Sequence, residues 1–256
     1  MTTNVFDGIS GVVAADTRWS TLTSSNWMIY IDEPNYPKLV IKEIGGDKYG
    51  FLFAGDGVAI QNWKNWLSSN QTTARPSALS MAICIVDLMQ RKHIYHEGQE
   101  YLAVDALSIT GSGALHALTC WMTNKCAKKA INSASMRDIH TGNYVQFYEM
   151  GTSEHNLPEQ NNMTIDDVRK TMAIRGYIMN KEIGKDSIIA ISSIDSINSI
   201  SANDVEEIKN IRNGLLHANI SPTAPCIGVY NTRSEEQENA LDNALSSIFQ
   251  KNISRN

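Results

Sequence analysis

The chain has 256 residues, with 22 lysines and arginines against 27 aspartates and glutamates for a formal charge of −5, and 42% of its residues are hydrophobic. This balance is that of an ordinary globular protein and excludes a collagen, a coiled coil, a disulfide-stapled mini-protein and a disordered tail. At this length one large domain, or one domain with a sizeable extension, buries a core without metal or disulfide staples.

No stretch reaches the roughly 18 uninterrupted apolar residues of a membrane span, and the start lacks the basic and apolar blocks of a secretory signal. The chain therefore reads as cytoplasmic, with no membrane partner. Cys84, Cys120, Cys126 and Cys226 have no paired spacing and read as buried thiols rather than a zinc site or disulfide frame. Residues 1–150 carry 12 basic and 13 acidic side chains and residues 151–256 carry 10 and 14. Neither half is an electrostatic footprint for nucleic acid.

In chain order, the first 55 residues read as β. Gly11-Val12-Val13-Ala14-Ala15-Asp16 follows a turn at Asp7-Gly8-Ile9-Ser10, and strands at 38–44 and 49–54 flank Gly45-Gly46-Asp47-Lys48, the chemistry of a hairpin turn. A helix is expected from Asp56 through Trp66. A second is expected from Pro76-Ser77 to Lys92, with Leu79, Ile83, Val86 and Met89 on one face. A hairpin follows, formed by His93–His96 and Tyr101–Ile109 around Glu97-Gly98-Gln99. Helices at 114–124 and 126–137 and a strand at Tyr144–Tyr148 complete the first part. Gly151–Asn162 reads as a linker. Beyond it come a helix capped at Thr164 with Asp166 and Asp167 in its first turn, a strand at Ser187–Ile194, a helix at Asn203–Leu216, a strand at Cys226–Tyr230 and a helix at Ser234–Phe249.

Thr2 follows Met1, and threonine is small enough for methionine removal to expose it. A hydroxyl and a free α-amine of pKa about 7.7–8.0 would then share one residue, the amine accepting the hydroxyl proton. Around it stand Gly11-Val12-Val13-Ala14-Ala15-Asp16-Thr17-Arg18, Phe53-Ala54-Gly55-Asp56-Gly57, Ile109-Thr110-Gly111-Ser112-Gly113 and Arg137-Asp138-Ile139-His140-Thr141-Gly142. Their order, with two expected helices in each of the last two intervals, resembles the proteasome β-type family of N-terminal-nucleophile hydrolases over residues 2–150. The resemblance implies an α+β fold, a four-layer αββα sandwich of two antiparallel sheets between helix layers, with residues 151–256 as a C-terminal α/β extension.

By the same resemblance Thr2 is the nucleophile, Asp16 orients the site's lysine, and the backbone N–H near Gly55 serves the oxyanion. Ser112, Asp138 and Thr141 orient the amine, Thr141 standing where the family usually has serine. Copies of the chain would assemble into a homo-oligomer acting on peptide or protein substrates, with no metal or cofactor. Three features depart from the pattern. The segment from Thr2 to Asp16 is about two residues short, which a tighter first hairpin absorbs without changing strand faces. The lysine column falls on Val40, between Lys38 and Lys42; Lys42, flanked by Ile41 and Ile44, is the preferred candidate. Only one hairpin fits between Lys92 and Gly111, where the family has about three strands, leaving an edge for residues 151–256 to cover.

Other groupings are weaker. His93 and His96, with Glu97 and Glu100, sit at a strand spacing that puts the histidines on opposite faces, against a metal site. Gly111-x-Gly113 lacks the rest of a dinucleotide loop. Lys125, Lys128 and Lys129 read as a solvated face, and Trp63 and Trp66 as a packed helix stripe. The expected function is an N-terminal threonine hydrolase of amide or peptide bonds; the alternative is a catalytically inactive scaffold of the same fold that binds a protein partner.

Overall fold

The computed structural model describes residues 2–69, 71, 73–97, 101–104, 106–159, 163–196, 200–224, 232–250, 253 and 255. In chain order the first strands are β1 (Asn4–Asp7), β2 (Val12–Asp16), β3 (Arg18–Leu22), β4 (Trp27–Asp32), β5 (Leu39–Ile44) and β6 (Asp47–Asp56), followed by α1 (Gly57–Ser68). Next come β7 (Met81–Asp87), β8 (Lys92–His96), β9 (Tyr101–Val104), β10 (Leu107–Thr110), α2 (Ala114–Asn124), α3 (Ala127–Arg137) and β11 (Val145–Glu149). The rest is α4 (Ile165–Arg175), β12 (Tyr177–Asn180), β13 (Ile189–Ala190), α5 (Ala202–Leu216), β14 (Thr223–Ala224) and α6 (Glu235–Phe249).

The strands form two antiparallel sheets, so the protein is α+β. One is five-stranded in the order β11-β2-β1-β10-β9; the other is nine-stranded, β13-β12-β4-β3-β14-β6-β7-β8, with β5 paired to β6. Strand alternation decides which side chains meet. Phe6, Val13 and Ala15 of the smaller sheet cluster with Leu39, Leu52, Cys84 and Val86 of the larger. Val5, Val12 and Ala14, one residue out of step, cluster with Ala117 and Trp121 of α2 and Ala130, Ile131 and Ala134 of α3. Phe51, Phe53, Ile83 and Ile85 of the larger sheet cluster with Ile60 and Trp63 of α1, Val168 of α4, Ile208 of α5 and Leu245 of α6.

The first two hairpins follow the sequence reading. Gly45 (φ +63°) and Gly46 (φ +94°) supply the left-handed pair of the β5–β6 turn. The expected helix over residues 76–92 is instead β7, a strand between β6 and β8. Met81, Ile83 and Ile85 face one core and Cys84 and Val86 the other. A strand buried on both faces shows no alternation, so its apolar run imitates a helix. Among the described residues the interval between Gly55 and Gly111 thus holds one helix rather than two.

The expected hairpin at 93–109 is also corrected. β8 pairs with β7 in the larger sheet, whereas β9 pairs with β10 in the smaller; Gly98 and Gln99 of the expected turn lie outside the described residues. The β7–β8 register shifts between Ile85 and Val86, setting His96 opposite Cys84 and His93 opposite Val86. That bulge brings the two histidines onto one face, ring centroids 5.9 Å apart, where regular alternation puts them on opposite faces.

Residues 151–157 are not a detached linker: Glu149 N–H donates to Glu154 O at 2.8 Å and Tyr148 bridges His155, so the chain folds back along β11. The expected strand at Ser187–Ile194 shrinks to β13, flanked by 3-10 turns at Gly184–Ser187 and Ile191–Ser196. Strand Cys226–Tyr230 falls outside the described residues. The helix at Thr164 carries a complete capping box with Asp167. From residues 151–256, β12 and β13 extend the larger sheet beyond β4, and β14 sits between β3 and β6.

Candidate active site at the start of the chain

Thr2 and Thr3 lead into β1, which is held between β2 and β10. The eight residues separating Asp7 from Asp16 close tightly because the Asp7 carboxylate accepts the N–H groups of Ile9 (3.1 Å) and Ser10 (3.0 Å) and the Trp121 indole N–H (2.6 Å). This hairpin brings Asp16, the last residue of β2, against the start of the chain: Thr3 N–H donates to Asp16 Oδ1 at 2.9 Å, and Asp16 N–H to Thr3 O at 3.1 Å. The short segment therefore does not displace Thr2.

Lys38, one residue before β5, completes the centre. Its Nζ donates to Thr2 Oγ1 at 2.8 Å and stands 3.1 and 3.2 Å from the two Asp16 oxygens. The lysine is fixed by its own carbonyl, which accepts Phe53 N–H of β6 at 2.9 Å. Asp16 Oδ2 also accepts the backbone N–H groups of Arg18 (2.9 Å) and Gly142 (2.7 Å). Thr2 is 1% exposed, and Lys38 and Asp16 are fully buried. Burial pulls the Lys38 amine below its ordinary range, while the charge of Asp16 opposes that shift.

The preferred Lys42 is not the lysine at Thr2. It lies four residues further along β5, about 13 Å at strand rise, half-buried opposite Tyr49 near the hairpin turn. Counting from Asp47-Lys48 put the column on Val40. The position at the strand's entrance, which comes closest to Asp16, is Lys38.

Ser112, Asp138 and Thr141 are brought together. Thr141 Oγ1 donates to Asp138 Oδ2 at 2.5 Å, and Ser112 Oγ donates to the same oxygen. The chain of bonds continues from Thr141 Oγ1 to Thr3 Oγ1 at 2.7 Å, so this group reaches the side chain of Thr3. Gly111 and Gly113 permit the approach. A Cβ on Gly111 (φ +98°) would fall 1.4 Å from Thr2 O, and one on Gly113 would fall 2.3 Å from Thr3 Oγ1. Gly55 (φ +114°) stands on β6, two residues beyond the Phe53 that holds Lys38, and a Cβ there would fall 2.4 Å from Ser80 O and 2.5 Å from Met81 Cα.

Sequence reasoning missed two supports. Thr3 links the Ser112–Asp138–Thr141 group to Asp16; its signal was the Thr2-Thr3 pair itself. Arg18 forms a two-point ion pair with Asp32, at 2.8 and 2.9 Å, and donates Nη1–H to Ile139 O at 2.5 Å. With Asn143 N–H on Asp32 Oδ2 at 3.1 Å, this pair ties the 139–143 loop to β3 and β4. Among the described residues no group of three or more His, Cys, Asp and Glu is placed to hold a metal ion, and no helix is long and apolar enough to cross a membrane.

No family model matches the chain, and no curated protein matches it. Among solved structures it is similar to one described as Thiobacillus denitrificans BPH in complex with epoxomicin, at 13% identity and a TM-score of 0.36, over 59% of this chain and 100% of that one. The site rests on its own geometry.

Proposed function

We propose that the protein is an N-terminal threonine hydrolase that cleaves amide or peptide bonds through an acyl-enzyme, with helices outside both sheets as a four-layer αββα scaffold. The observation that carries this reading is Lys38 Nζ at 2.8 Å from Thr2 Oγ1, with Asp16 at 3.1 Å behind it. A cation donating to a hydroxyl oxygen lowers its proton affinity, and the paired Asp16 carboxylate opposes the loss of that cation's charge on burial. Once the Met1–Thr2 bond is cleaved, the α-amine supplies the base that the hydroxyl lacks.

In the proposed reaction Thr2 Oγ forms a bond to the substrate carbonyl carbon as its proton moves to the α-amine. The tetrahedral oxyanion is assigned to the backbone N–H of Gly55, which faces Ala224 of β14 in the sheet, so that pairing must open for it; one such donor is worth roughly 3–4 kcal/mol. Collapse breaks the C–N bond, and the amine returns the proton to the leaving nitrogen. Water then attacks the Thr2 ester and regenerates the hydroxyl. Asp138, Thr141 and Ser112 hold Thr3 and so the backbone of the nucleophile. Residues 1–150 carry every group in this scheme, and residues 151–256 are read as the cover of the larger sheet. Peptide substrates and assembly of several copies, with no cofactor, belong to the same proposal.

The burial of Thr2, 1% exposed, favours a second reading: an inactive scaffold that binds a protein partner. The two separate on one experiment. Protein lacking Met1 is assayed against fluorogenic peptide amides, beside Thr2→Ala and Lys38→Met. The hydrolase reading predicts turnover that falls at least about 1000-fold in both variants. No turnover once Met1 is removed leaves the scaffold reading, and turnover unchanged in Thr2→Ala means that Thr2 is not the nucleophile.

A further inference from the structure

A second site lies along the outer edge of β5. Because Phe53 N–H bonds Lys38 O, residues 38 and 53 are a hydrogen-bonded pair. Alternation then makes Val40/Phe51 and Lys42/Tyr49 bonded pairs and turns the N–H and C=O groups of Leu39, Ile41 and Glu43 away from β6; Leu39 is 1% exposed, so the reachable groups are those of half-buried Ile41 and exposed Glu43. Among the described residues β5 pairs with no other strand, and these outward groups have no hydrogen bond. A groove of about 570 Å³ runs along this edge, with Leu39 and Ile41 on one wall and Tyr148, Leu157 and Pro158 on the other.

Its two ends differ in charge. At the hairpin end Lys48, directly across from Glu43, donates to Tyr148 Oη and to Ser153 Oγ, each at 3.3 Å, and Tyr148 Oη stands 3.0 Å from Ser153 Oγ. The Ser153 oxygen accepts from both neighbours, with Ser153 exposed and Lys48 half-buried at the mouth of the groove. Lys48 has no ion pair among the described residues, and Ser153 is held at φ +59°. Glu159, the acid among the lining residues, is six residues beyond Ser153 on the segment that runs back along β11, at the opposite end.

We propose that this groove binds an extended peptide segment that joins the larger sheet beside β5 and sets an acidic side chain against Lys48. Unpaired N–H and C=O groups on an apolar wall call for a ligand with a backbone of its own. A lysine on the groove wall with no ion pair among the described residues, beside a serine hydroxyl, complements a carboxylate. Side chains of the added strand that face the gap between the sheets recur every second residue, alongside Ile41 and the Glu43–Lys48 pair. The segment therefore reads apolar-x-acid, in one chain direction or the other. The site shares no residue with the centre at Thr2.

The test is fluorescence anisotropy of the Thr2→Ala protein, which removes any cleavage, with a fluorescein-labelled, C-terminally amidated peptide Thr-Val-Thr-Leu-Thr-Glu-Thr and its reversed sequence. One of them is expected to bind saturably. Replacing its Glu by Gln is expected to weaken binding about tenfold, and Lys48→Gln in the protein to erase that difference. N-methylation of alternate backbone nitrogens is expected to abolish binding in one parity and spare it in the other. The proposal is overturned by saturable binding of neither peptide, by equal effects of the two N-methylation parities, or by Glu/Gln discrimination surviving in Lys48→Gln. It is also overturned if the Gln peptide with a free C-terminus binds as tightly as the Glu amide, which would assign the donors to a chain end.

Discussion

Lys64 of α1 sits in the core with its Nζ 3.4 Å from the centre of the Tyr36 ring and no hydrogen-bond partner among the described residues. Burial pushes its amine well below the ordinary lysine range. The unfolded chain therefore binds a proton that the native chain lacks over the interval between that lowered value and 10.5, so stability rises with pH across it. Lys64→Met is expected to stabilise the protein at neutral pH by roughly 1–3 kcal/mol, the cost of an unsatisfied buried donor, and to remove that rise. Urea melts of both proteins at neutral pH and near pH 9.5 measure it. Lys38 differs in its surroundings: it is buried as well, but the Asp16 carboxylate at 3.1 Å opposes the downward pull of burial. The sequence distinguishes them poorly. Asp16, Ser112, Asp138 and Thr141 were legible because each ends or follows a recognisable run. Lys38 was legible only as the alternative to Lys42, because its place depends on where the chain enters β5, and counting from the hairpin turn missed that by two residues.

At the level of elements, local chemistry set most helix ends. Asp56 caps α1 by accepting Ala59 N–H at 2.9 Å, and Ser234 with Gln237 boxes the start of α6. Asp56→Ala is expected to cost about 1 kcal/mol, read as a lowered denaturation midpoint at an unchanged slope. Gly111 between β10 and α2 is a stricter element: its left-handed backbone lies against Thr2 O. Gly111→Ala is expected to destabilise the fold by at least about 2 kcal/mol and to move Thr2 off Lys38, detected by chemical denaturation and by loss of any Thr2 reactivity. What the sequence concealed was β7. Its alternation serves two cores at once, so a periodicity argument had no polar face to find. The bulge in β8 was hidden for a related reason, since a two-against-one pairing is a property of the partner strand as much as of His93 and His96.

Across the whole molecule, residues 151–256 are joined to the rest through β12, β13 and β14 in the larger sheet and through Val168, Ile208 and Leu245 in its outer core. Arg75, 1% exposed, anchors α6 through Asp242 at 2.6 Å and through Glu238. A chain ending at Met150 is expected to lose cooperative unfolding and to expose the Phe51–Ile83 face of the sheet, seen as dye binding and rapid proteolysis. The first hairpin was readable from the residues and the two-sheet α+β class was implied by the resemblance; the merging of residues 151–256 into the larger sheet was neither, because β14 is two residues long and carries no pattern.

The central claim is that Lys38 activates the Thr2 hydroxyl, and covalent trapping tests it most directly. Protein freed of Met1 is incubated with an activated peptide ester and analysed by intact and fragment mass spectrometry, alongside Thr2→Ala and Lys38→Met. The account predicts one acyl group per chain, placed on Thr2, and none on either variant. An unlabelled chain, or equal labelling of Thr2→Ala, would contradict it.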